Sequence, residues 1–482
     1  MTEEKQKKLL PHRYLNNHRE IILTASLFVA LFLGMAGYLA YFTATSQQEM
    51  INNSYNSRQE ILLSRNYRGA IYANDGVILA ETLLDSEQNE TRVYPFNNLF
   101  SHIVGYSTNG RMGVEALANY YLINTSTSLT NKVANDMAGL KNPGDNVYTT
   151  LDVELQQVAD SQLGIYRGAV VVTEVSTGKI LALVSHPDFD PNKISDIWDS
   201  LVKDTSSSVL LNRAAQGLYP PGSTFKIITA LEYIRENPQT YPDYTFQCPG
   251  YYISDGNRVN CYHSNAHGRV NLEKSLVKSC NSSFANLGLG LDWEQFGKTL
   301  DSLLFNSSLP LTLSYSRSSI HTGEMPTDEK MQTSFGQGKT LMTPIHLNMI
   351  TASIANGGVM MKPYVVDRVV NDVGNPVKAF KPAAYGRVMS REEAAVMVEM
   401  MTAVVQGGGA GQLANQEYTV AGKTGSAEYN DIKGECHAWF TGFAPAENPE
   451  ICVTVIMEGA GGGGEYAVPV ARRIFDAYFR EK

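Results

Sequence analysis

The sequence predicts an α+β fold, in which an antiparallel sheet flanked by helices is carried on an N-terminal pedestal behind one transmembrane helix. Three observations predict it: an uncharged apolar run near the N-terminus, strand-like runs in pairs both early and late in the remaining chain, and helical text between those pairs. Strands at both ends with helices between them indicate a sheet that joins early and late chain segments.

Length and composition indicate a large globular protein with more than one domain. The chain has 482 residues, of which 43% are hydrophobic and 18% are charged, so disordered and fibrous classes are excluded. A net charge of -9 without a basic face argues against binding to nucleic acid. We expect a tail at 1–20, a membrane anchor at 21–42, a pedestal at 43–155 and a second domain at 156–482.

The first element is the predicted anchor. Its sequence, "IILTASLFVALFLGMAGYLAYF" from Ile21 to Phe42, is a run of about 22 uncharged residues, long enough to cross a bilayer as a helix. A cleaved signal peptide is the main alternative, but its apolar stretch is usually shorter and no clear Ala-x-Ala site follows. The basic residues before the run predict a single-pass protein in the cell membrane, with a cytoplasmic tail and an extracellular remainder; they are Lys5, Lys7, Lys8, Arg13 and Arg19.

The following elements are read from turn and capping signals. Asn74-Asp75-Gly76 and Ser176-Thr177-Gly178-Lys179 each lie between strand-like runs, so both predict hairpins. Ser390 and Glu393 have the spacing of a capping box ahead of a helical run. "HAWFTGFAP" and "ICVTVIME" predict two late strands, the glycine run 461–464 predicts a flexible turn, and "PVARRIFDAYF" predicts a last helix.

The five cysteines do not match a familiar ligand pattern. Outside the cell a disulfide is permitted, and Cys248 with Cys261 would close a short loop. Zinc binding by these two with His263 or His267 is disfavoured, because the spacing is not one of the common zinc patterns. The other three cysteines are expected to be buried, inert thiols: Cys280, Cys436 and Cys452.

The segment "GLYPPGSTFKIIT" places a serine and a lysine at a predicted helix start. Pro220, Pro221 and Gly222 stop any incoming helix, and the helical run "STFKIITALEYIREN" begins at Ser223. Lys226, one turn later, shares the face of Ser223. Taken alone, the pair fits an ordinary N-cap with a solvated lysine as well as it fits a nucleophile with its base.

Two later motifs favour the chemical interpretation. Ser279-Cys280-Asn281 precedes another helical run, and Lys423-Thr424-Gly425 precedes Ser426 in strand-like text. Ser-x-x-Lys, Ser-x-Asn and Lys-Thr-Gly, in this order, are the motifs of penicillin-binding proteins and β-lactamases. A phosphate-binding loop is excluded, because the glycine it needs is replaced by Glu417 or Thr333 in the two Gly-Lys-Thr segments.

The chain resembles the class B, monofunctional penicillin-binding proteins over nearly its whole length. "RGAIYANDGVILA" and "GRMGVEALANYYL" resemble the pedestal segments of that family, and "TLDVELQQVA", "SFGQGKTLMTPIHL" and "AWFTGFAP" resemble its catalytic domain. No glycosyltransferase region precedes them, and the short pedestal puts partner docking through extra modules in doubt. The resemblance implies a serine transpeptidase fold acting on the D-Ala-D-Ala stems of peptidoglycan, acylated by β-lactams, with a polytopic glycan polymerase as a candidate partner and with neither cofactor nor metal.

Residue chemistry predicts how such a site would work. A serine hydroxyl needs a neighbouring base to attack a peptide carbonyl, and Lys226 can serve only if its pKa is lowered by roughly 3 units through partial burial, the helix dipole and Lys423. Ser279 would relay a proton to the leaving amine and Asn281 would orient the substrate amide. Lys423, Thr424 and Ser426 would bind the terminal carboxylate, and Gly425 would let the substrate backbone lie against the strand.

The resemblance also implies which groups stabilise the oxyanion: they are the backbone N–H groups of Ser223 and Ser426.

Two rival functions stay open at this stage. The first rival is a hydrolase on the same fold, a D,D-carboxypeptidase or a β-lactamase, although no deacylating glutamate can be placed by pattern. The second is a membrane-anchored sensor or scaffold that binds β-lactam without turnover, against which the intact set of motifs argues.

Overall fold

The computed structural model describes residues 11–52, 58–204, 206–428 and 435–480. The helices of these residues are α1 (Pro11–Asn52), α2 (Arg58–Arg65), α3 (Gly113–Leu117), α4 (Asn119–Ile123), α5 (Leu129–Ala138), α6 (Val153–Leu163), α7 (Ile194–Lys203), α8 (Lys226–Glu236), α9 (Leu272–Val277), α10 (Asn281–Gly290), α11 (Trp293–Ser302), α12 (Thr327–Thr333), α13 (Pro344–Ala355), α14 (Arg391–Gly407) and α15 (Gly463–Arg480).

The strands of the same residues are β1 (Asn66–Tyr67), β2 (Ile71–Tyr72), β3 (Ile78–Leu84), β4 (Glu90–Val93), β5 (Asn142–Pro143), β6 (Asn146–Thr149), β7 (Gly168–Glu174), β8 (Ile180–His186), β9 (Phe246–Cys248), β10 (Tyr251–Ser254), β11 (Asn257–Asn260), β12 (Gly268–Val270), β13 (Val359–Met361), β14 (Val366–Val370), β15 (Pro376–Ala379), β16 (Ala384–Arg387), β17 (Ala421–Glu428), β18 (Cys436–Ala444) and β19 (Ile451–Met457).

The N-terminal helix α1 contains the predicted anchor. Within it, Arg19–Phe42 is long and apolar enough to cross a membrane, with a mean hydropathy of 2.1 and no burial against protein. Residues 1–61 and 62–482 form two separate compact units. The basic residues Lys5, Lys7 and Lys8 lie outside the described residues, and the predicted domain boundaries stay predictions.

The central sheet has the strand order β17-β18-β19-β7-β8, with every neighbouring pair antiparallel. The early strands therefore pair with the late ones, as the sequence predicts. Alternate residues of β7 enter two different cores: Val170 and Val172 belong to the core that includes residues of α6 and α15, whereas Val171 belongs to the core that includes residues of α8, α10 and α13. Burial on both faces explains why the strand has an almost continuous apolar sequence.

Both predicted hairpins are confirmed, since β2 pairs with β3 and β7 pairs with β8. The capping box is confirmed as well: the Ser390 side chain accepts from the N–H of Glu393, whose carboxylate accepts from the N–H of Ser390.

The prediction of a flexible turn for the glycine run 461–464 is wrong in part, because Gly463 and Gly464 form the first turn of α15. A Cβ on Gly463 would lie 2.2 Å from the Trp439 carbonyl oxygen, so the glycine permits close packing on the sheet.

A buried carboxylate, that of Glu115, links several segments of the predicted pedestal. Glu115 is fully buried and accepts from Arg68 Nε at 2.5 Å and from Arg92 Nε at 2.8 Å. Arg68 also donates to the side-chain oxygen of Asn119 at 2.7 Å. Gly113, with φ of +60°, lies so close to Ile103 that a Cβ would be 2.3 Å from its carbonyl oxygen. These contacts explain why the segment "GRMGVEALANYYL" contains Gly113, Glu115 and Asn119.

A second sheet connects the pedestal to later residues. Its order is β15-β14-β6-β2-β3-β4, so that four strands from residues 71–149 pair with two strands from residues 366–379. Antiparallel pairing of β14 with β6 joins the two regions through backbone hydrogen bonds. Residues 62–155 of the predicted pedestal therefore belong to one compact unit with the larger α+β region, whereas residues up to 61 belong to the N-terminal unit.

Candidate active site

The Ser223 turn begins where two prolines end the preceding segment. Gly222, with φ of +54°, opens a 3₁₀ turn over Gly222–Thr224, and α8 starts at Lys226. The predicted helix start at Ser223 is therefore wrong by one turn. The reason is that the Gly222 N–H donates to the Gly336 carbonyl at 2.9 Å, while the Phe225 N–H bonds back to Gly222. The left-handed φ of Gly222 and its bond to another segment prevent an α-helical first turn here.

Lys226 lies buried at the centre of the site. Its Nζ is 3.0 Å from Ser223 Oγ, 2.6 Å from Asn281 Oδ1 and 2.7 Å from the Ser279 carbonyl oxygen. The ring centres of Phe284 and Phe335 lie 5.6 and 5.9 Å from Nζ. The side chain is fully buried rather than partly buried as predicted.

Burial is the physical cause of the perturbed lysine chemistry. Removal of the amine from water lowers the pKa of Lys226 from 10.5 to about 7. The pKa of Lys423 is also lowered, by burial first and then by repulsion from Lys226. The predicted lowering of the Lys226 pKa is therefore present, and desolvation by burial is what lowers it, without a contribution from the charge of Lys423.

The second motif lies in the connection between α9 and α10. Ser279 has a left-handed φ of +50°, Cys280 caps α10 and Asn281 is the first residue of that helix. Ser279 Oγ lies between the two amines, 3.2 Å from Lys226 Nζ and 3.1 Å from Lys423 Nζ. The N-cap of α10 is the Cys280 side chain, which accepts from the N–H of Ser283, so neither Ser279 nor Asn281 caps this helix.

The third motif lies on β17, which is an edge strand among the described residues. Lys423 Nζ donates to Ser279 Oγ and, at 2.9 Å, to the carbonyl of Thr424. Ser426 Oγ accepts from the N–H of Gly463 at 3.2 Å. A Cβ on Gly425 would lie 3.1 Å from the Pro221 carbonyl, so this glycine also permits the Ser223 turn to pack against the strand.

Some supporting residues have no signature in the sequence. Trp439 on β18 donates from Nε1 to the Pro220 carbonyl at 3.1 Å, which fixes the proline segment before Ser223 to the sheet. The Asn260 carbonyl accepts from Asn281 Nδ2 at 3.1 Å. Phe284 and Phe335, which enclose Lys226, look like ordinary core residues in the sequence. Only the folded chain shows that these residues surround the site.

All three motifs therefore meet at one place, and comparisons with known proteins agree with this geometry. Residues 168–476 match the penicillin binding protein transpeptidase domain, and residues 68–147 match the penicillin binding protein A dimerisation domain. The chain belongs to the class B penicillin-binding proteins. The first of these matches alone covers more than half of the chain.

Individual relatives of this penicillin-binding protein are similar over most of its length. A peptidoglycan D,D-transpeptidase PbpA from Mycobacterium tuberculosis is 31% identical, over 95% of this chain and 98% of the relative. A peptidoglycan D,D-transpeptidase MrdA from Acinetobacter baumannii is 31% identical, over 81% of this chain and 66% of the relative. The solved ceftriaxone acyl-enzyme complex of M. tuberculosis penicillin-binding protein A superposes with a TM-score of 0.79 and 29% identity, covering 86% of this chain and 98% of that structure.

The cysteines of this penicillin-binding protein are all free thiols in the structure, and all five are buried. Cys248 and Cys261 are therefore not joined in a disulfide. Cys452 lies in the core beside Asn348, as expected of an inert thiol. Cys280, in contrast, does not lie apart from the first pair, because its Sγ is 3.7 Å from that of Cys261. His263 is left-handed in the backbone and its ring lies against Tyr262.

Proposed function

We propose that this penicillin-binding protein is a peptidoglycan D,D-transpeptidase that works through an acyl-enzyme on Ser223. One observation carries the proposal: a fully buried Lys226 amine, with its pKa lowered to about 7, lies 3.0 Å from Ser223 Oγ. A lysine in this state is neutral often enough at neutral pH to accept the hydroxyl proton. The similarity to D,D-transpeptidases of M. tuberculosis and A. baumannii supports the same activity.

The acylation step uses the first motif and the edge strand. Ser223 Oγ attacks the carbonyl of the penultimate D-Ala while Lys226 takes its proton, and the C–N bond to the terminal D-Ala breaks. The N–H groups of Ser223 and Ser426 would stabilise the oxyanion, each contributing roughly 3 kcal/mol in the transition state. The packing of the Ser223 turn against Ser426 and Ala427 of β17 supports this assignment.

The second motif would move the proton to the leaving group. Ser279 Oγ lies within hydrogen-bond distance of both lysine amines, so it can pass a proton from Lys226 toward the departing D-Ala amine. Asn281 holds Lys226 through Oδ1 and would orient the substrate amide. In the second half-reaction, the amine of an acceptor stem attacks the acyl-enzyme carbonyl and the ester bond to Ser223 breaks. Ser279 and Lys226 would then carry the amine proton back to Ser223 Oγ.

The third motif would bind the substrate along the sheet edge. β17, an edge strand among the described residues, would offer backbone groups to an extended D-Ala-D-Ala stem. Lys423, Thr424 and Ser426 would hold the terminal carboxylate, and Gly425 would let the substrate backbone lie against the strand. A β-lactam would enter the same place and acylate Ser223, in keeping with the acyl-enzyme that ceftriaxone forms with the similar M. tuberculosis protein.

We also propose that α1 anchors the protein in the cell membrane with the catalytic region outside. The apolar length of Arg19–Phe42 and the basic residues before it support this topology. Since the enzyme would act on stems of newly made glycan, a polytopic glycan polymerase is the proposed membrane partner. Protease protection in inverted and right-side-out vesicles tests the topology, and site-specific crosslinking from the α1 segment tests the partner.

Covalent labelling tests the nucleophile. A fluorescent penicillin followed by peptide mapping should label the peptide that contains Ser223. Ser223→Ala should abolish the label, and the exposed Ser161→Ala should leave it unchanged. A label on another residue, or full complementation of a gene deletion by Ser223→Ala, would refute the acyl-enzyme and favour the scaffold.

Product analysis tests transfer against hydrolysis. With a D-Ala-D-Ala donor and an added acceptor amine, a transpeptidase should form the cross-linked amide. Release of only the free acid at every acceptor concentration would assign the protein to the carboxypeptidases or β-lactamases instead.

A further inference from the structure

A glutamine side chain covers the edge strand β17 two residues beyond Ser426. Gln337 lies in the connection between α12 and α13, and its half-buried side chain reaches Glu428, the last residue of β17. With its amide oriented to satisfy both groups, Gln337 donates to the Glu428 carbonyl at 3.3 Å and accepts from the Glu428 N–H at 3.1 Å. One side-chain amide therefore makes the pair of hydrogen bonds that a neighbouring strand would make.

The backbone of β17 determines which of its residues face the same side as Glu428. In an antiparallel ladder, the N–H and carbonyl groups of alternate residues point to the same side of the strand. β17 pairs with β18 without a register shift, so the backbone groups of Ser426 and Thr424 point the same way as those of Glu428. A Cβ on Gly222 would lie 3.0 Å from the Ser426 carbonyl oxygen, which places this oxygen beside the Ser223 turn.

Protein groups occupy this side of β17 on both sides of Ser426. The Thr424 carbonyl accepts from Lys423 Nζ at 2.9 Å, and the Glu428 pair is bonded to Gln337. Alternate residues of a strand are about 6.8 Å apart, so the Gln337 amide lies about one dipeptide beyond Ser426. Among the described residues, what β17 offers to a substrate between these two contacts is therefore the N–H and carbonyl of Ser426.

The position of Gln337 depends on the contacts that shape the Ser223 turn. The Gly336 carbonyl accepts from the Gly222 N–H at 2.9 Å, and a Cβ on Gly336 would lie only 2.2 Å from the Gly222 carbonyl oxygen. Gly336 and Gly338 have left-handed φ values of +77° and +71°, so a sharp turn presents the side chain between them. The Gln337 amide is therefore held at a fixed place relative to the nucleophile.

We propose that Gln337 is a specificity-determining residue, which ends the substrate-binding edge of β17 at Ser426. The inference rests on the proposed function, in which the carbonyl of the penultimate D-Ala accepts from the Ser426 N–H. With the terminal carboxylate beside Lys423, the stem runs antiparallel to β17. The residue two positions before the penultimate D-Ala would then reach Glu428, whose backbone groups already bond to Gln337. The stem must leave the strand at this point.

This arrangement determines which part of a donor the enzyme recognises. A peptide that ends in D-Ala-D-Ala is bound through its last three residues, and the residues before them contribute little to binding. Without the Gln337 amide, a longer peptide would form two further backbone hydrogen bonds with Glu428. Two hydrogen bonds of this kind strengthen binding by roughly tenfold.

Donor length tests the inference. The two donors are an N-acetylated tripeptide ending in D-Ala-D-Ala and a pentapeptide that carries two further L-residues before the same tripeptide. Wild type should convert both with the same kcat/KM, whereas Gln337→Ala should favour the pentapeptide by roughly tenfold. Gln332→Ala, which changes an exposed glutamine of α12, should behave as wild type. The same kcat/KM ratio in Gln337→Ala as in wild type would overturn the proposal.

A purely structural role of Gln337 would give a different result. Loss of a structural contact slows the conversion of both donors by the same factor, so it leaves the ratio of their kcat/KM values unchanged. Gln337→Glu keeps an acceptor for the Glu428 N–H but loses the donor to the Glu428 carbonyl, so it should shift the ratio less than Gln337→Ala does. A larger shift in Gln337→Glu would contradict the pairing with Glu428.

Binding without turnover separates this inference from the proposed function. Ser223→Ala, which cannot form the acyl-enzyme, should bind the two peptides equally. Ser223→Ala combined with Gln337→Ala should bind the pentapeptide roughly tenfold more tightly than the tripeptide. If wild type converts neither peptide but this difference in affinity is present, the proposed function fails and the inference stands. Equal affinities or no binding in the double variant would overturn the inference, whatever the activity of the wild type.

Discussion

The pH dependence of acylation is the most direct consequence of the buried lysine. If Lys226 is the base, the rate of Ser223 acylation should follow the neutral fraction of its amine. With a pKa of about 7, that fraction is about 50% at pH 7, about 10% at pH 6 and about 1% at pH 5. The second-order rate should therefore fall about tenfold for each pH unit below 7.

The effect of burial can be expressed on the same scale. An exposed lysine, with a pKa of 10.5, would be neutral in only about 0.03% of molecules at pH 7. Burial therefore increases the neutral fraction of the Lys226 amine by roughly 10³-fold. Lys226→Ala should lose acylation by at least the 10²-fold to 10⁴-fold expected for a general base. Lys298→Ala, an exposed lysine on α11, should leave the rate unchanged.

Stopped-flow measurement with a fluorescent penicillin between pH 5 and 9 provides the assay. The acylation rate should level off above about pH 7 to 8, before the serine or the β-lactam itself begins to titrate. A profile that is flat from pH 5 to 7, or one that still rises with unit slope at pH 9, would refute the assignment of Lys226 as the base.

The remaining predictions concern the parts that support the site. Trp439→Phe removes the hydrogen bond to the Pro220 carbonyl, so the free energy of unfolding in urea should fall by about 1 kcal/mol. The acylation rate should fall by more than this loss of stability explains. An unchanged acylation rate would contradict a role of Trp439 in positioning the Ser223 turn. Glu115→Gln should lower the melting temperature strongly, because it leaves Arg68 and Arg92 without their buried anion, and the free energy of unfolding should fall by about 3–5 kcal/mol. A fall of less than about 1 kcal/mol would show that the stability of the pedestal does not depend on these ion pairs. Because folding lowers the pKa of Lys226, the unfolded chain binds more protons between about pH 7 and 10.5, so stability should rise with pH across that window. Lys226→Met should make the stability profile flatter there, and an identical slope would argue that the amine is not buried.

The sequence by itself determined the fold class, an apolar helix long enough to cross a membrane and the candidate reactive residues. Apolar periodicity and turn residues are local properties, so the two hairpins, the capping box of α14 and the strand pairs at both ends of the sheet could be predicted. Short motifs carry their chemistry in residue types, which is why Ser223, Lys226 and Lys423 could be identified before the fold was known. The start of α8 was misplaced because Gly222 bonds to Gly336, a residue more than a hundred positions away.

Tertiary structure alone decided where those residues lie and how deeply they are buried. Full burial of Lys226 near Phe284 and Phe335 depends on segments that meet only in the folded chain, and this desolvation lowers the lysine pKa. The same is true of a cluster of side chains that are far apart in the sequence, since folding brings one atom from each within 4.8 Å of the others; its members are Cys248, Cys261, His267 and Cys280. Local sequence specifies which side chains are present and which elements they form, but distances and dielectric environment arise from contacts between distant segments.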